Sequence, residues 1–275
     1  MLGAIIGDIV GSKYEFHNIK TKDFPLFGKY CDFTDDSILT IATADWLLHG
    51  GNVAEYYSNY AADNDCPMGG YGSGFRRWIN RTIVDGDFSP YNSCGNGSAM
   101  RVGPVGWLSS DVPFMDERLI LSKAKESSEC THNHPEGIKG AQATALCIYL
   151  AREGASTNDI RKRIEEDFNY DLSLSVDEIR PRYSWQGLDS AGNGGACQGS
   201  VPQAIVCALE ATDFEDAVRN AISIGGDSDT IGCITGSIAE ALYGIPDDLR
   251  EKGMSYLPQE FKKVIEEFED KYGRG

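Results

Sequence analysis

The sequence predicts an all-α fold. Segment after segment repeats apolar residues at helical spacing. No stretch alternates apolar and polar residues convincingly in the manner of a half-buried strand. Two tetrads of carboxylates and hydroxyls, far apart in the chain, each open a helical pattern. Across 275 residues there is no heptad repeat, no low-complexity segment and no shift of composition, so one domain over residues 1–275 is expected.

From the N-terminus, residues 2–16 read as a helix with three faces. Leu2, Ile5, Ile6, Ile9 and Val10 form an apolar face, Gly3, Gly7 and Gly11 recur every fourth residue, and Asp8, Ser12 and Glu15 share a polar face. Glycine inside a helix costs about 1 kcal/mol, so three in register point to something packed against the backbone. Asp8 and Glu15 are then either a solvated face or carboxylates beside that crevice. Residues 17–33, with mixed charge, Pro25 and Gly28, read as a loop. Thr34-Asp35-Asp36-Ser37 opens a helix over 36–49 that ends at His49-Gly50-Gly51. A helix over 53–62 follows, then a glycine-rich loop over 63–74 able to reach across a cleft, then a short helix over 75–83.

Ser93 to Arg101 reads Ser-Cys-Gly-Asn-Gly-Ser-Ala-Met-Arg. Small residues let main-chain N–H groups approach an anion, and a helix starting there adds its dipole; an ordinary turn is the plainer reading. Neither a Walker pattern nor G-x-G-x-x-G after a strand occurs. Further helices are expected at 115–129, 135–153, 156–168, 198–211, 213–224, 227–243 and 258–272. The one at 156 opens with Ser156-x-x-Asp159, a capping-box variant. Pro181 and Gly192-Asn193-Gly194-Gly195 mark a long loop over 170–197, and loops of that length are often functional.

The chain is organised around the start of the helix at 227–243. Gly225 and Gly226 turn the backbone, and Asp227, Ser228, Asp229 and Thr230 follow at once. Carboxylates and hydroxyls at a helix start make good caps, and that suffices for either tetrad alone. The two together are a different matter. No Lys or Arg lies between Lys29 and Arg76, nor between Arg219 and Arg250. Two carboxylates about 4 Å apart repel by about 4 kcal/mol at an effective dielectric near 20, and a helix N-terminus offsets roughly 0.3–1 kcal/mol of that. The expectation is that the two helix starts meet and hold a divalent cation. Carboxylate and hydroxyl oxygens with no His or Cys suit a hard ion such as Mg²⁺ or Mn²⁺. An EF-hand calcium loop is set aside, because Ile231 and Ile238 stand where it needs oxygen ligands.

Composition bounds the partners. Hydrophobic residues make up 41% of the chain, enough for a substantial core, and the formal net charge is −17. That charge argues against a nucleic-acid backbone or an anionic membrane as main partner; a small anion held by local donors stays open. No apolar run is long enough to span a bilayer, and the start Met1 to Asp8 lacks a basic leader, so a soluble, cytoplasmic protein is expected. Eight cysteines without a C-x-x-C pair read as core residues in a reducing compartment. Cys130-Thr131-His132-Asn133-His134 offers soft ligands, but alternate residues diverge in direction and no second pair occurs, which disfavours zinc.

The ordered set Gly7-Asp8-x-x-Gly11-x-x-x-Glu15, Thr34-Asp35-Asp36-Ser37, Gly95-Asn96-Gly97-Ser98-Ala99-Met100-Arg101, Thr131-His132 and Gly225 to Gly232 resembles the ADP-ribosylglycohydrolase family, which includes the dinitrogenase reductase-activating glycohydrolases. The likeness runs from Met1 to about Gly244. It implies a compact, single-domain orthogonal bundle of helices with two Mg²⁺ (or Mn²⁺) at the base of a central cleft. Thr34, Asp35, Asp36, Asp227, Asp229 and Thr230 would be the metal ligands. It implies cleavage between C1″ of the distal ribose of ADP-ribose and an acceptor, which is an ADP-ribosylated protein or a small molecule, with ADP-ribose released. Ser93, Gly95, Asn96, Gly97 and Ser98 would hold the diphosphate and nearby ribose, and His132 would line the same cleft.

Glu15 matches a glutamate that some members place near the scissile bond; others rely on an aspartate of the first tetrad, here Asp35. Mg²⁺ keeps its ligands ionised, so a carboxylate outside the ligand set is the better proton carrier. Ser37 stands where many relatives have Thr and keeps the hydroxyl. The acceptor (arginine, serine, a nucleic-acid terminus or a free metabolite) stays open, with the loops at 17–33 and 63–74 as its selectors. Two other classes also stay open: a non-catalytic binder or structural protein of the same fold, and another magnesium enzyme acting on diphosphates. The complete tetrads speak against the first; the lack of D-D-x-x-D, and of Lys in the anion loop, speaks against the second.

Overall fold

A computed structural model describes residues 1–109, 116–190 and 192–273. The helices are α1 (Leu2–Ser12), α2 (Asp35–His49), α3 (Val53–Asp63), α4 (Ser73–Asp85), α5 (Gly97–Met100), α6 (Asp116–Glu129), α7 (Pro135–Arg152), α8 (Thr157–Phe168), α9 (Val176–Ile179), α10 (Cys197–Leu209), α11 (Phe214–Ser223), α12 (Ser228–Tyr243), α13 (Asp247–Ser255) and α14 (Gln259–Tyr272). A 3-10 turn covers Gly103–Trp107. The only sheet among the described residues is a small antiparallel hairpin, β1 (Tyr183–Ser184) with β2 (Gly187–Leu188). The fold is all-α, and among the described residues no helix is long and apolar enough to cross a membrane.

The glycine stripe of α1 lies directly on α12. A Cβ built on Gly7 would stand 1.9 Å from Gly232 O, one on Gly3 2.3 Å from Gly236 O, and one on Gly11 2.3 Å from Ser228 O. The contact is reciprocal, since a Cβ on Gly236 would meet Gly3 O at 2.0 Å. The partners run in opposite order, so the helices are antiparallel and their backbones touch over most of α1. Glu240, buried on α12, accepts from Gly3 N–H at 2.7 Å and fixes the far end. Around α12, buried from Ser228 to Glu240, pack α10, α11 and α7. On the other side α2 is covered by α3 and α14.

Asp8 ties α2 into this pair. Wholly buried, it accepts from Thr34 N (2.9 Å), Thr34 Oγ1 (2.7 Å), Ser37 N (3.1 Å) and Ser37 Oγ. A side chain on α1 therefore satisfies the orphan N–H groups that begin α2. Thr34 is the local cap of the same helix, accepting from Asp36 N at 3.2 Å.

Several elements depart from expectation. The first helix ends at Ser12, not residue 16: Tyr14 N turns back to Gly11 O at 2.7 Å, and beyond it Asn18 Nδ2 takes the carbonyls of Tyr14 and Glu15 at 2.7 and 3.0 Å. Glu15 thus stands beyond the helix, and the polar face of Asp8 and Ser12 stops short of it. The helix at 75–83 is longer, running from Ser73 to Asp85. The helix expected at 115–129 is observed from Asp116, residue 115 lying outside the described residues. The loop at 170–197 carries α9 and the hairpin. The short helices α5, α9 and α13 have no counterpart in the sequence reading. All eight cysteines are free.

A side chain at position 7 has nowhere to go. Gly7→Ala should cost about 2–3 kcal/mol by overpacking, read as a lower urea midpoint. Gly192→Ala, with nothing within 4 Å of its Cβ, should shift stability by less than about 1 kcal/mol. Equal midpoints for the two variants would contradict the close α1–α12 contact.

Candidate metal centre and ligand cleft

The antiparallel α1–α12 pair puts the end of α1 beside the start of α12, and Asp8 brings the start of α2 to the same place. Side-chain oxygens of Asp8, Asp36 and Asp229 lie within 4.8 Å of one another, and so do those of Glu15, Asp227 and Asp229. Asp229 belongs to both groups. Asp36, Asp227 and Asp229 are buried, and Glu15 and Asp35 are half-buried at the floor of a cleft. The two tetrads expected to meet do meet.

Second contacts hold three of the acids in place. Asn96 Nδ2 donates to Asp227 Oδ2 at 2.7 Å, Thr230 N donates to Asp229 Oδ1 at 3.0 Å, and Thr230 Oγ1 donates to Asp36 Oδ2 at 3.3 Å. Gly225 and Gly226 have positive φ, which only glycine adopts freely. Asn18 clamps that turn, accepting from Gly226 N and donating to Gly226 O, both at 2.8 Å. Asp8, with four donors from Thr34 and Ser37 on its two oxygens, is itself fixed at the start of α2. Asp36 Oδ1 is buried with no hydrogen-bond partner, and an acceptor in that state calls for a cation or a proton. The oxygen-only donor set and this orphan oxygen fit a hard divalent ion.

Electrostatics say the same. Burial and then the charges of Asp229 and Asp8 push Asp35 and Asp36 well above the usual carboxylate range, and burial with Asp227 does so for Asp229. Asp8 and Asp227 rise to about 6, chiefly through burial. Glu15 rises to about 8, through burial first and then the charges of Asp229 and Asp8.

The cleft above the acids has a volume of about 380 Å³, within the roughly 300–1,000 Å³ usual for small-ligand sites. It is lined by the Ser93–Gly97 loop, Tyr91 and His132, and by Glu15, the Gly69–Gly74 loop and Trp185. The Ser93–Gly97 loop is braced from behind, since Asn96 N donates to Gly195 O at 3.0 Å and Cys197 N to Cys94 O at 2.9 Å. Gly95 N is also engaged, by Ser93 Oγ at 3.1 Å. With Ser93 N donating to Thr131 O at 3.4 Å, three amides of the expected anion cradle are spent inside the protein. Ser98 is buried and its hydroxyl donates to Gly137 O at 2.7 Å, away from the cleft. Ser93, Gly95, Asn96, Gly97 and His132 do line it, as do Asp35, Asp36, Asp227, Asp229 and Thr230; Thr34 lies behind, against Asp8.

Arg101 was a motif residue with no role assigned from the sequence. It is wholly buried, stacks over the Tyr57 ring at 4.0 Å, and donates from Nη2 to Ser127 O (3.0 Å) and Thr131 Oγ1 (2.6 Å). Thr131 Oγ1 lies 2.8 Å from His132 Nδ1. A Thr131 hydroxyl that donates to Nδ1 leaves the proton of His132 on Nε2, the atom beside Gly97. Burial and the Arg101 charge hold His132 well below its ordinary value, so it is a neutral donor. Trp185, Tyr71 and Asp8 are other contributors to which the sequence reading gave no individual role. Tyr71 lies in the 63–74 loop expected to reach across the cleft, Trp185 in the long 170–197 loop, and Asp8 beside the glycine stripe.

Residues 1–274 match the ADP-ribosylglycohydrolase family. The chain is 28% identical over 341 aligned residues to the ADP-ribosylhydrolase ARH3 of Homo sapiens, covering 98% of this chain and 89% of that protein. It is 25% identical to the ADP-ribosylarginine hydrolase Tri1 of Pseudomonas putida (strain GB-1), covering 89% and 70%. Among solved structures it superposes on an "ADP-ribosylglycohydrolase-related protein complex" with a TM-score of 0.67 at 23% identity, covering 97% of this chain and 95% of that one.

The raised carboxylates make stability pH-dependent. Each is protonated in the fold at a pH where the unfolded chain has already ionised, so the contribution is full below about pH 4 and is lost as pH rises through 6 for Asp8 and Asp227 and 8 for Glu15. Chelator-treated protein should therefore lose Tm steadily between pH 4.5 and 8, and Mg²⁺ should restore most of it at the upper end. A Tm that holds or climbs across that window without cation would contradict the crowding of these acids.

Proposed function

Because the chain belongs to the ADP-ribosylglycohydrolase family, we propose that it is a divalent-cation-dependent hydrolase, a single catalytic domain that frees ADP-ribose from an acceptor by cleaving the bond at C1″ of the distal ribose. The observation that carries the proposal is the pair of three-carboxylate groups sharing Asp229 at the floor of a cleft whose wall is the Ser93–Gly97 loop and His132. Asp35, Asp36, Asp227 and Asp229, with the Thr34 and Thr230 hydroxyls, would hold two Mg²⁺, or Mn²⁺ in their stead. When bound, the ions supply positive charge that fixes ribose hydroxyls and favours an attacking water.

The remaining work falls to the chain's own groups. Asp8 and Asn96 hold the acids in position, and the neutral His132 donates from Nε2 to a diphosphate oxygen. The Ser93–Gly97 loop, without large side chains, lets that diphosphate come close. Glu15 is the proton carrier, with Asp35 the other carboxylate at hand. The reaction adds water across the C1″ bond: hydroxyl goes to C1″ and a proton to the departing acceptor atom. Protonated Glu15 can supply that proton and, once ionised, recover one from water. Burial, the leading cause of its raised pKa, is independent of the ions. The aromatic walls Tyr71, Phe75, Tyr91 and Trp185 limit solvent around the bond. The free cysteines accord with a reducing, cytoplasmic setting.

Incubation with ADP-ribosylated peptides and small acceptors should release intact ADP-ribose in the presence of Mg²⁺ and nothing in EDTA. AMP as product would mean diphosphate hydrolysis, and no product with ADP-ribose bound would mean a binding protein. Glu15→Gln should lower kcat by about 10²–10⁴-fold while ADP-ribose affinity stays near wild type. Near-normal turnover would remove Glu15 from the role. Asp229→Ala should lose bound metal and turnover together, and retention of both would refute the shared-Asp229 centre.

A further inference from the structure

Two cysteines from distant parts of the chain meet behind the Ser93–Gly97 loop. Gly95 and Ala196 form an isolated antiparallel bridge, closed by Asn96 N to Gly195 O at 3.0 Å and Cys197 N to Cys94 O at 2.9 Å. One step along, that register sets Cys94 opposite Cys197. Hydrogen-bonded residues opposed in this way have Cα atoms about 5.5 Å apart, inside the span of roughly 4.4–6.8 Å that a disulfide bridges. Cys197 is wholly buried at the start of α10; its Sγ donates to Gly95 O at 3.1 Å and lies 3.4 Å from Ser98 Oγ. Burial first, with Cys94 nearby adding to it, pushes the Cys197 thiol up to about 12. Cys94 is only half-buried, so it is the sulfur of the pair that a small oxidant reaches.

We propose that Cys94 and Cys197 are a redox pair, joined on oxidation in a disulfide that staples the Ser93–Gly97 loop to the start of α10 and weakens its hold on a ligand. The oxidant is a peroxide. The Cys94 thiolate attacks the O–O bond, taking one oxygen as a sulfenic acid while the other leaves as hydroxide. Cys197 sulfur then attacks the Cys94 sulfur. The S–S bond forms, the sulfenic oxygen departs as hydroxide, and the Cys197 proton turns one hydroxide to water. Two thiols and one peroxide thus give one disulfide and two waters. A disulfide sulfur has no proton, so Gly95 O loses the donor that Cys197 supplied. Gly95 lines the cleft, and a Cβ on it would stand 3.6 Å from His132 Nε2. The loop is therefore held by one bond fewer on the side that faces the ligand. In a reducing compartment such a bond is transient, as a switch requires. The effect on ADP-ribose rests on the hydrolase reading above; formation of the disulfide does not.

The test treats the full, reduced chain with hydrogen peroxide, maps its peptides by mass spectrometry without reduction, and measures ADP-ribose affinity before oxidation, after it, and after dithiothreitol. The expected result is a Cys94–Cys197 cross-linked peptide and an affinity lower by about two- to ten-fold, the worth of one hydrogen bond, both reversed by dithiothreitol. Cys94→Ser, compared with its own untreated form, should keep its affinity through the same treatment. Cys94 found as a sulfinic acid or paired with another cysteine would overturn the proposal. So would a cross-link that leaves affinity unchanged, or an equal loss in treated Cys94→Ser. A reduced wild type that binds no ADP-ribose defeats the hydrolase reading, and the peptide map still decides whether the two sulfurs join.

Discussion

The structure depends on two backbones touching. Where Gly7 meets Gly232 there is no room for a single methyl group, and this contact aligns the end of α1 with the beginning of α12. Asp8 then carries the alignment to a third element, using its carboxylate to satisfy the first N–H groups of α2. Three helix ends from remote parts of the chain are joined by hydrogen bonds to a buried carboxylate and not by a disulfide. The glycines cost helix propensity, and what they secure is proximity that larger residues would forbid.

That proximity leaves the fold in electrostatic tension. Carboxylates crowded in a buried place resist ionisation, and the raised pKa values of Asp36, Asp227, Asp229 and Glu15 all express the same strain. A divalent ion relieves it, which makes ion affinity and local instability two sides of one arrangement. Positive charge is present nearby, but it is used elsewhere. Arg101 is enclosed against Tyr57 and bonded to Thr131 beside His132, whose protonation its charge opposes. The cleft is thus split into a floor that wants cations and a wall that offers donors.

Much of this was legible in the sequence, because it rests on local pattern. The four-residue glycine spacing announced a close helix contact, and the two tetrads with no nearby Lys or Arg announced a shared ion. The helices with long amphipathic runs were found near their observed bounds. What escaped depends on contacts between distant residues or on elements too short for periodicity to register. Nothing near residue 15 reveals that α1 stops at Ser12 and that Asn18 holds the Glu15 carbonyl outside it. Nothing near residue 98 tells that Ser98 turns to Gly137 while its neighbours face the cleft. The stacked rings of Phe16 and Trp185 join positions from opposite halves of the chain, and four-residue helices such as α5 and α9 carry too little pattern to be seen.

The central claim is that the mouths of α2 and α12 share their ions. Crystals grown with Mn²⁺ and measured by anomalous diffraction at the manganese edge address it without reference to turnover. The account predicts anomalous peaks in bonding contact with carboxylates of both tetrads, with Asp36 and Asp229 on a common ion. Peaks confined to one helix mouth, or none at an Mn²⁺ concentration that saturates the protein in solution, would contradict it.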